Sequence, residues 1–74
     1  MPIVVEMKQN AEILTIQLQD DNFCLWAIVQ DNAKIISRTF EIIQTGEKMT
    51  EANRKYIGTF QDGWFVGHCF EILD

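Results

Sequence analysis

Apolar and polar residues alternate along most of this chain with a period of two, the spacing of a β-strand whose two faces meet different surroundings. Ile13 to Gln19 follows the pattern plainly, with Leu14, Ile16 and Leu18 on one face and Thr15, Gln17 and Gln19 on the other. Ile35 to Gln44 places Ile36, Arg38, Phe40 and Ile42 together, opposite Ser37, Thr39, Glu41 and Ile43. Phe23 to Val29 departs from the rule because it is apolar on both faces: Phe23, Leu25, Ala27 and Val29 point one way, Cys24, Trp26 and Ile28 the other. A chain of 74 residues has little material to cover both sides of a sheet, so the second face is expected to be covered by another copy or a partner. Phe23, Leu25, Trp26 and Trp64 are the candidate interface residues.

Turn chemistry divides these runs. Ile3 to Met7 reads as a short edge strand, and Asp20-Asp21-Asn22 joins Ile13–Gln19 to Phe23–Gln30 as a hairpin. Asp31-Asn32-Ala33-Lys34 precedes the fourth strand, and Thr45-Gly46 ends it. Glu47 to Lys55 is the one long polar connection, read as a loop with at most one helical turn near residues 50–54, capped by Thr50. Asp62-Gly63 is the strongest hairpin signal, expected to form a two-residue type I′ turn between Tyr56–Gln61 and Trp64–Leu73. The expected fold is all-β: a single small domain over 1–74, an antiparallel meander of five to six strands closing into a barrel or a sandwich.

Composition narrows the function. An apolar fraction of 47% with one Pro and four Gly describes a packed domain rather than a disordered segment. The net charge of −5 argues against general nucleic-acid binding through phosphates. The N-terminus lacks the basic and apolar regions of a signal peptide, and no apolar run approaches the roughly 20 residues of a membrane helix. A soluble, intracellular protein without membrane contact is the expectation. Cys24 and Cys69 are expected to stay reduced as small buried hydrophobes.

Few residues offer chemistry. His68, the only histidine, shares a strand face with Trp64, Val66, Phe70 and Ile72, and no nucleophile or metal ligand stands at a useful spacing from it. Neighbouring Cys69 points to the opposite face. The carboxylates are scattered over turns and strand ends, so neither an enzyme nor a cofactor is expected. Arg38, among apolar neighbours, has two readings: a packed stem with its head in water or paired to Glu41 or Glu71, or an anion clamp. Gly46 ends a strand with unusual φ; Gly58, inside a strand, marks a bulge or the close approach of another backbone or a ligand.

Taken in order, Ala11-Glu12-Ile13-Leu14, Leu25-Trp26-Ala27, Arg38-Thr39-Phe40, Thr45-Gly46, Tyr56-Ile57-Gly58-Thr59 and His68-Cys69-Phe70-Glu71 form a pattern covering residues 11 to 72. The pattern resembles a family of small phage and prophage proteins that carry a domain of unknown function. Two departures stand out: Gly67 occupies a position where the family pattern has tryptophan, and the N-terminal segment is short. The resemblance implies a phage accessory protein acting in the host cell cytoplasm, and implies no reaction.

Two functions follow as expectations. In the first, a homo-oligomeric anti-defence protein sequesters a small anionic, nucleotide-derived signalling molecule, with Arg38, Thr45, Gly46, Gly58, Thr59 and His68 as ligand-binding residues. In the second, an acidic inhibitor docks on a basic surface of a host defence nuclease or other host protein, through Asp20, Asp21, Asp31, Glu41, Glu47, Glu51 and Asp62. A small virion component is the remaining alternative. The apolar faces and glycine-marked strand ends favour the first.

Overall fold

The computed structural model describes residues 2–20, 22–29, 32–49 and 51–73. Six strands follow one another without a helix among the described residues: β1 (Pro2–Lys8), β2 (Glu12–Gln19), β3 (Asn22–Ile28), β4 (Ile35–Gln44), β5 (Arg54–Asp62) and β6 (Phe65–Ile72). The all-β expectation holds, and the expected helical turn is not formed by the described residues around it. Its proposed cap, Thr50, lies outside them.

The strands form two antiparallel sheets, one of four strands in the order β1-β4-β6-β5 and one of two, β2-β3. The hairpins β2–β3 and β5–β6 keep sequence neighbours paired, while β1 reaches past the first hairpin to pair with β4, Ile3 opposite Phe40 and Val5 opposite Arg38. The β2–β3 hairpin lies over one face of the larger sheet. The arrangement is a small open sandwich, not a closed barrel. Its core is Ile16, Phe40, Ile42, Phe60 and Cys69, flanked by Ile3, Val5, Met7, Ile13, Leu25, Ile57 and Phe65.

Two bulges revise the simple alternation. Ile13 pairs with Ala27 and Thr15 with Trp26, so Leu14 is an extra residue on β2. An extra residue exchanges the faces of everything before it. Ile13 therefore turns into the core and Leu14 outward, where it is exposed, although strict alternation groups Leu14 with Ile16. On β5, Tyr56 pairs with Phe70 and Gly58 with Cys69, which makes Ile57 the extra residue. Gly58 thus meets the expectation of a bulge. It follows a bulge, and β2 lies across it, so that a β-carbon there would stand 3.6 Å from Ile16 Cγ2 and 3.9 Å from the Ile16 amide nitrogen.

The β5–β6 turn is shifted by one residue from the sequence reading. Asp62 pairs with Phe65, so the central residues are Gly63 and Trp64. Gly63 has φ 57° while Trp64 is not among the positive-φ residues, the pattern of a type II′ turn rather than type I′. Trp64 leaves the strand and stands fully exposed at the turn tip. In the β2–β3 turn Asp20 takes φ 49°, and Asn22 donates its side-chain amide to the Asp20 carbonyl at 3.2 Å. Asp21, Gln30 and Asp31 lie outside the described residues.

The packing around Gly67 leaves no room for a side chain. The Phe60 ring lies against it closely enough to exclude a β-carbon, and Phe65 Cε1 would stand 2.7 Å from one. Phe60 and Phe65 are tilted rings 5.8 Å apart that fill the space a larger residue at 67 would need.

Candidate functional site

The six ligand-binding candidates separate onto the two faces of the larger sheet. His68 sits on β6 between Ile43 of β4 and Thr59 of β5, on the face away from the hairpin. Its Nδ1 lies 2.9 Å from Thr59 Oγ1 and its Nε2 2.8 Å from Thr45 Oγ1. Tyr56 extends the chain, its hydroxyl 2.5 Å from Thr59 Oγ1. One assignment uses every proton. Tyr56 donates to Thr59 and Thr59 to Nδ1; Nε2–H then donates to Thr45, whose hydroxyl donates to the Val66 carbonyl at 3.5 Å.

Local structure makes this patch. Thr45 follows β4 and is held by its amide, which donates to the Val66 carbonyl at 3.1 Å. Gly46, with φ 89°, turns the chain away behind it. Tyr56 and Thr59 are three apart and would face opposite ways on a regular strand, and the bulge at Ile57 puts both on the face that carries His68. Sequence reasoning missed Tyr56 for this reason, although Gly58 signalled the bulge. Phe70 packs edge-on to the Tyr56 ring at 5.6 Å, and Arg54 Nε donates to Glu41 at 3.0 Å on the same face.

Arg38 and Gly58 lie on the other face, toward the core. Arg38 Nε and Nη2 donate to the two carboxylate oxygens of Glu71 at 2.6 and 2.7 Å, a bidentate pair. Nη1 donates to the Ala11 carbonyl at 2.7 Å. The two side chains are only 12% and 9% exposed. This hydrogen bond to Glu71 raises the Arg38 pKa most, with burial opposing and the carboxylate's charge adding. The guanidinium joins β4, β6 and the β1–β2 turn, and its fork is occupied. What remains of it borders an open cleft of about 310 Å³, lined also by Gln9, Ser37, Thr39, Glu71 and Leu73.

The cysteines are free and face different ways, Cys69 buried in the core and Cys24 on the outward side of β3. Burial pushes the Cys69 thiol up to about 11, and the nearby Glu71 carboxylate adds to the shift. Among the described residues no three His, Cys, Asp or Glu side chains come together as a metal set. Of the four interface candidates, Phe23 and Leu25 face inward, Phe23 stacking on Phe60 at 5.0 Å, whereas Trp26 and Trp64 face out.

The fold and these clusters define a small all-β protein of two packed sheets. Over residues 2–73 the chain matches, and belongs to, the family described as domain of unknown function DUF7352. Neither a curated protein nor a solved structure matches it.

Proposed function

We propose that the protein acts by binding, as a homo-oligomer, and is no enzyme. The observation that supports this reading is the apolar surface left outside the fold. A compact monomer of 8.6 kDa exposes about 4,700 Å² on the scaling of surface with mass, whereas this chain exposes 5420 Å². The excess, on the order of 700 Å², is close to one partner's share of a standard protein interface, about 800 Å². Leu14, Trp26 and Ile28 are exposed together on the outward side of the hairpin.

Within such an assembly, the patch of Thr45, Thr59, His68 and Tyr56 is the place for a small nucleotide-derived ligand. The imidazole and hydroxyls supply donors and acceptors that a ligand would draw from the hydrogen bonds they make with one another, and the Tyr56 and Phe70 rings supply a stacking surface. Arg38 belongs to the scaffold in this reading. The resemblance to small phage proteins gives the setting: an accessory protein that sequesters a nucleotide signal of host defence.

Native mass spectrometry of the protein purified from bacteria making such a signal tests both halves. The expected result is a discrete oligomer carrying extra mass at fixed stoichiometry, lost on His68→Ala. An empty oligomer overturns the ligand and leaves the assembly; an empty monomer overturns both.

A further inference from the structure

A sheet edge is a row of unpaired N–H and C=O groups, and proteins blunt such edges with charges, proline, bulges or cover. Four strands here have an open side: β1 and β5 at the ends of the larger sheet, and β2 and β3 in the hairpin. Three carry protection. β1 contains Pro2, Glu6 and Lys8. β5 contains Arg54, Lys55 and Asp62 and the bulge at Ile57. β2 contains Glu12 and the bulge at Leu14, and it crosses β5 at Gly58.

β3 carries none of these. Asn22–Ile28 reads Asn-Phe-Cys-Leu-Trp-Ala-Ile, with no charge, no proline and no extra residue, and among the described residues it pairs with β2 alone. Its outward side chains include Trp26, 49% exposed, and Ile28, 55% exposed. An undefended edge next to exposed large apolar side chains is the signature of a strand that pairs in the assembled protein.

We propose that two copies of the chain pair edge to edge through β3, antiparallel about a two-fold axis, so that two hairpins become one four-stranded sheet, β2-β3-β3-β2. A segment paired with its own copy meets the symmetry of a closed dimer, in which the same patch serves both partners. Antiparallel partners face each other on the same side of the sheet, so a pairing that keeps the pleats in phase sets Trp26 of one copy against Cys24, Trp26 or Ile28 of the other. The contact would pair the edge of β3 that the monomer leaves bare and would set the outward Trp26 and Ile28 of the two copies side by side on one face of the joined sheet. This proposal deepens the homo-oligomer reading and rests on it.

The test is sedimentation velocity over a concentration series, on the full chain and on Trp26→Lys, with Val4→Lys as a control on an exposed apolar residue of the protected edge β1. Trp26→Lys sets a charge in the joint and is expected to weaken self-association by roughly tenfold or more, while Val4→Lys leaves it unchanged. Hydrogen exchange on the unaltered chain tests the same point without a variant: alternate β3 amides should gain protection as concentration rises. An oligomer indifferent to Trp26→Lys, with β3 exchange independent of concentration, overturns the β3 joint and leaves the assembly reading standing. A monomer at every concentration overturns both.

Discussion

Arg38 and Glu71 show how a charged pair can be both a liability and a strut. Two oxygens meet two guanidinium nitrogens at 2.6 and 2.7 Å in a nearly dry setting, and a third nitrogen holds the Ala11 carbonyl. Removing one partner strands the other, so Glu71→Ala should cost about 3–5 kcal/mol. A chain of this length has only about 4–11 kcal/mol in total, so the variant should lose a large part of its stability and unfold at a much lower urea concentration. The double change Arg38→Met with Glu71→Leu replaces both charges with apolar volume and should cost much less than the single one, leaving chiefly the Ala11 carbonyl unpaired. Equal losses in the two variants would assign the stability to something other than the ion pair. Cys69 gives a second residue-level outcome. Its thiol is raised from 9.0 to about 11 in the fold, so the unfolded chain loses that proton first as pH rises. Stability should therefore be intact below pH 9.0 and fall through the interval up to about 11, by on the order of 2 kcal/mol. Denaturation midpoints across that interval, compared with those of Cys69→Ala, check it, because the alanine variant should lack this part of the fall.

At the scale of elements, the chain depends on places where one strand passes close to another. Gly67 of β6 is held under the Phe60 ring of β5, with Phe65 beside it. Gly67→Ala should push those rings out of the core at about 1–3 kcal/mol, and adding Phe60→Leu should recover part of the loss; additive losses in the double variant would contradict the steric account. The same elements show what alternation can and cannot reveal. β4 matches its sequence reading at both ends because Ile35–Gln44 is a long, regular run bounded by turn residues. The faces of β2 do not, because no local residue pattern marks the bulge at Leu14, whereas on β5 Gly58 signals a bulge without showing that Ile57 is the extra residue. The pairing of β1 with β4 is nonlocal. For the candidate site, Thr45, Thr59 and His68 are legible as polar residues at strand ends and on apolar faces, and they do meet. Arg38, singled out with them, lies on the opposite face, where Glu71 was one of the two partners its sequence context offered.

The whole molecule is a slab, 41 × 31 × 15 Å, with a Cα radius of gyration of 12.8 Å against about 11 Å for a compact domain of this length. Two thin layers with a small core leave large side chains outside. The two tryptophans make that measurable, because one lies on the undefended strand and the other at a turn tip. In Trp64→Phe the remaining reporter is Trp26, half exposed on β3; in Trp26→Phe it is Trp64, fully exposed beyond the sheet. If assembly covers the hairpin, emission from Trp64→Phe should shift to shorter wavelength as concentration rises, because the indole exchanges water for apolar contacts. Trp26→Phe should show no such shift at matched concentrations. The thermal midpoint of the unaltered chain should rise over the same range, since an oligomer couples folding to association. A blue shift at Trp64 with none at Trp26 would move the joint to the β5–β6 turn and return β3 to the solvent.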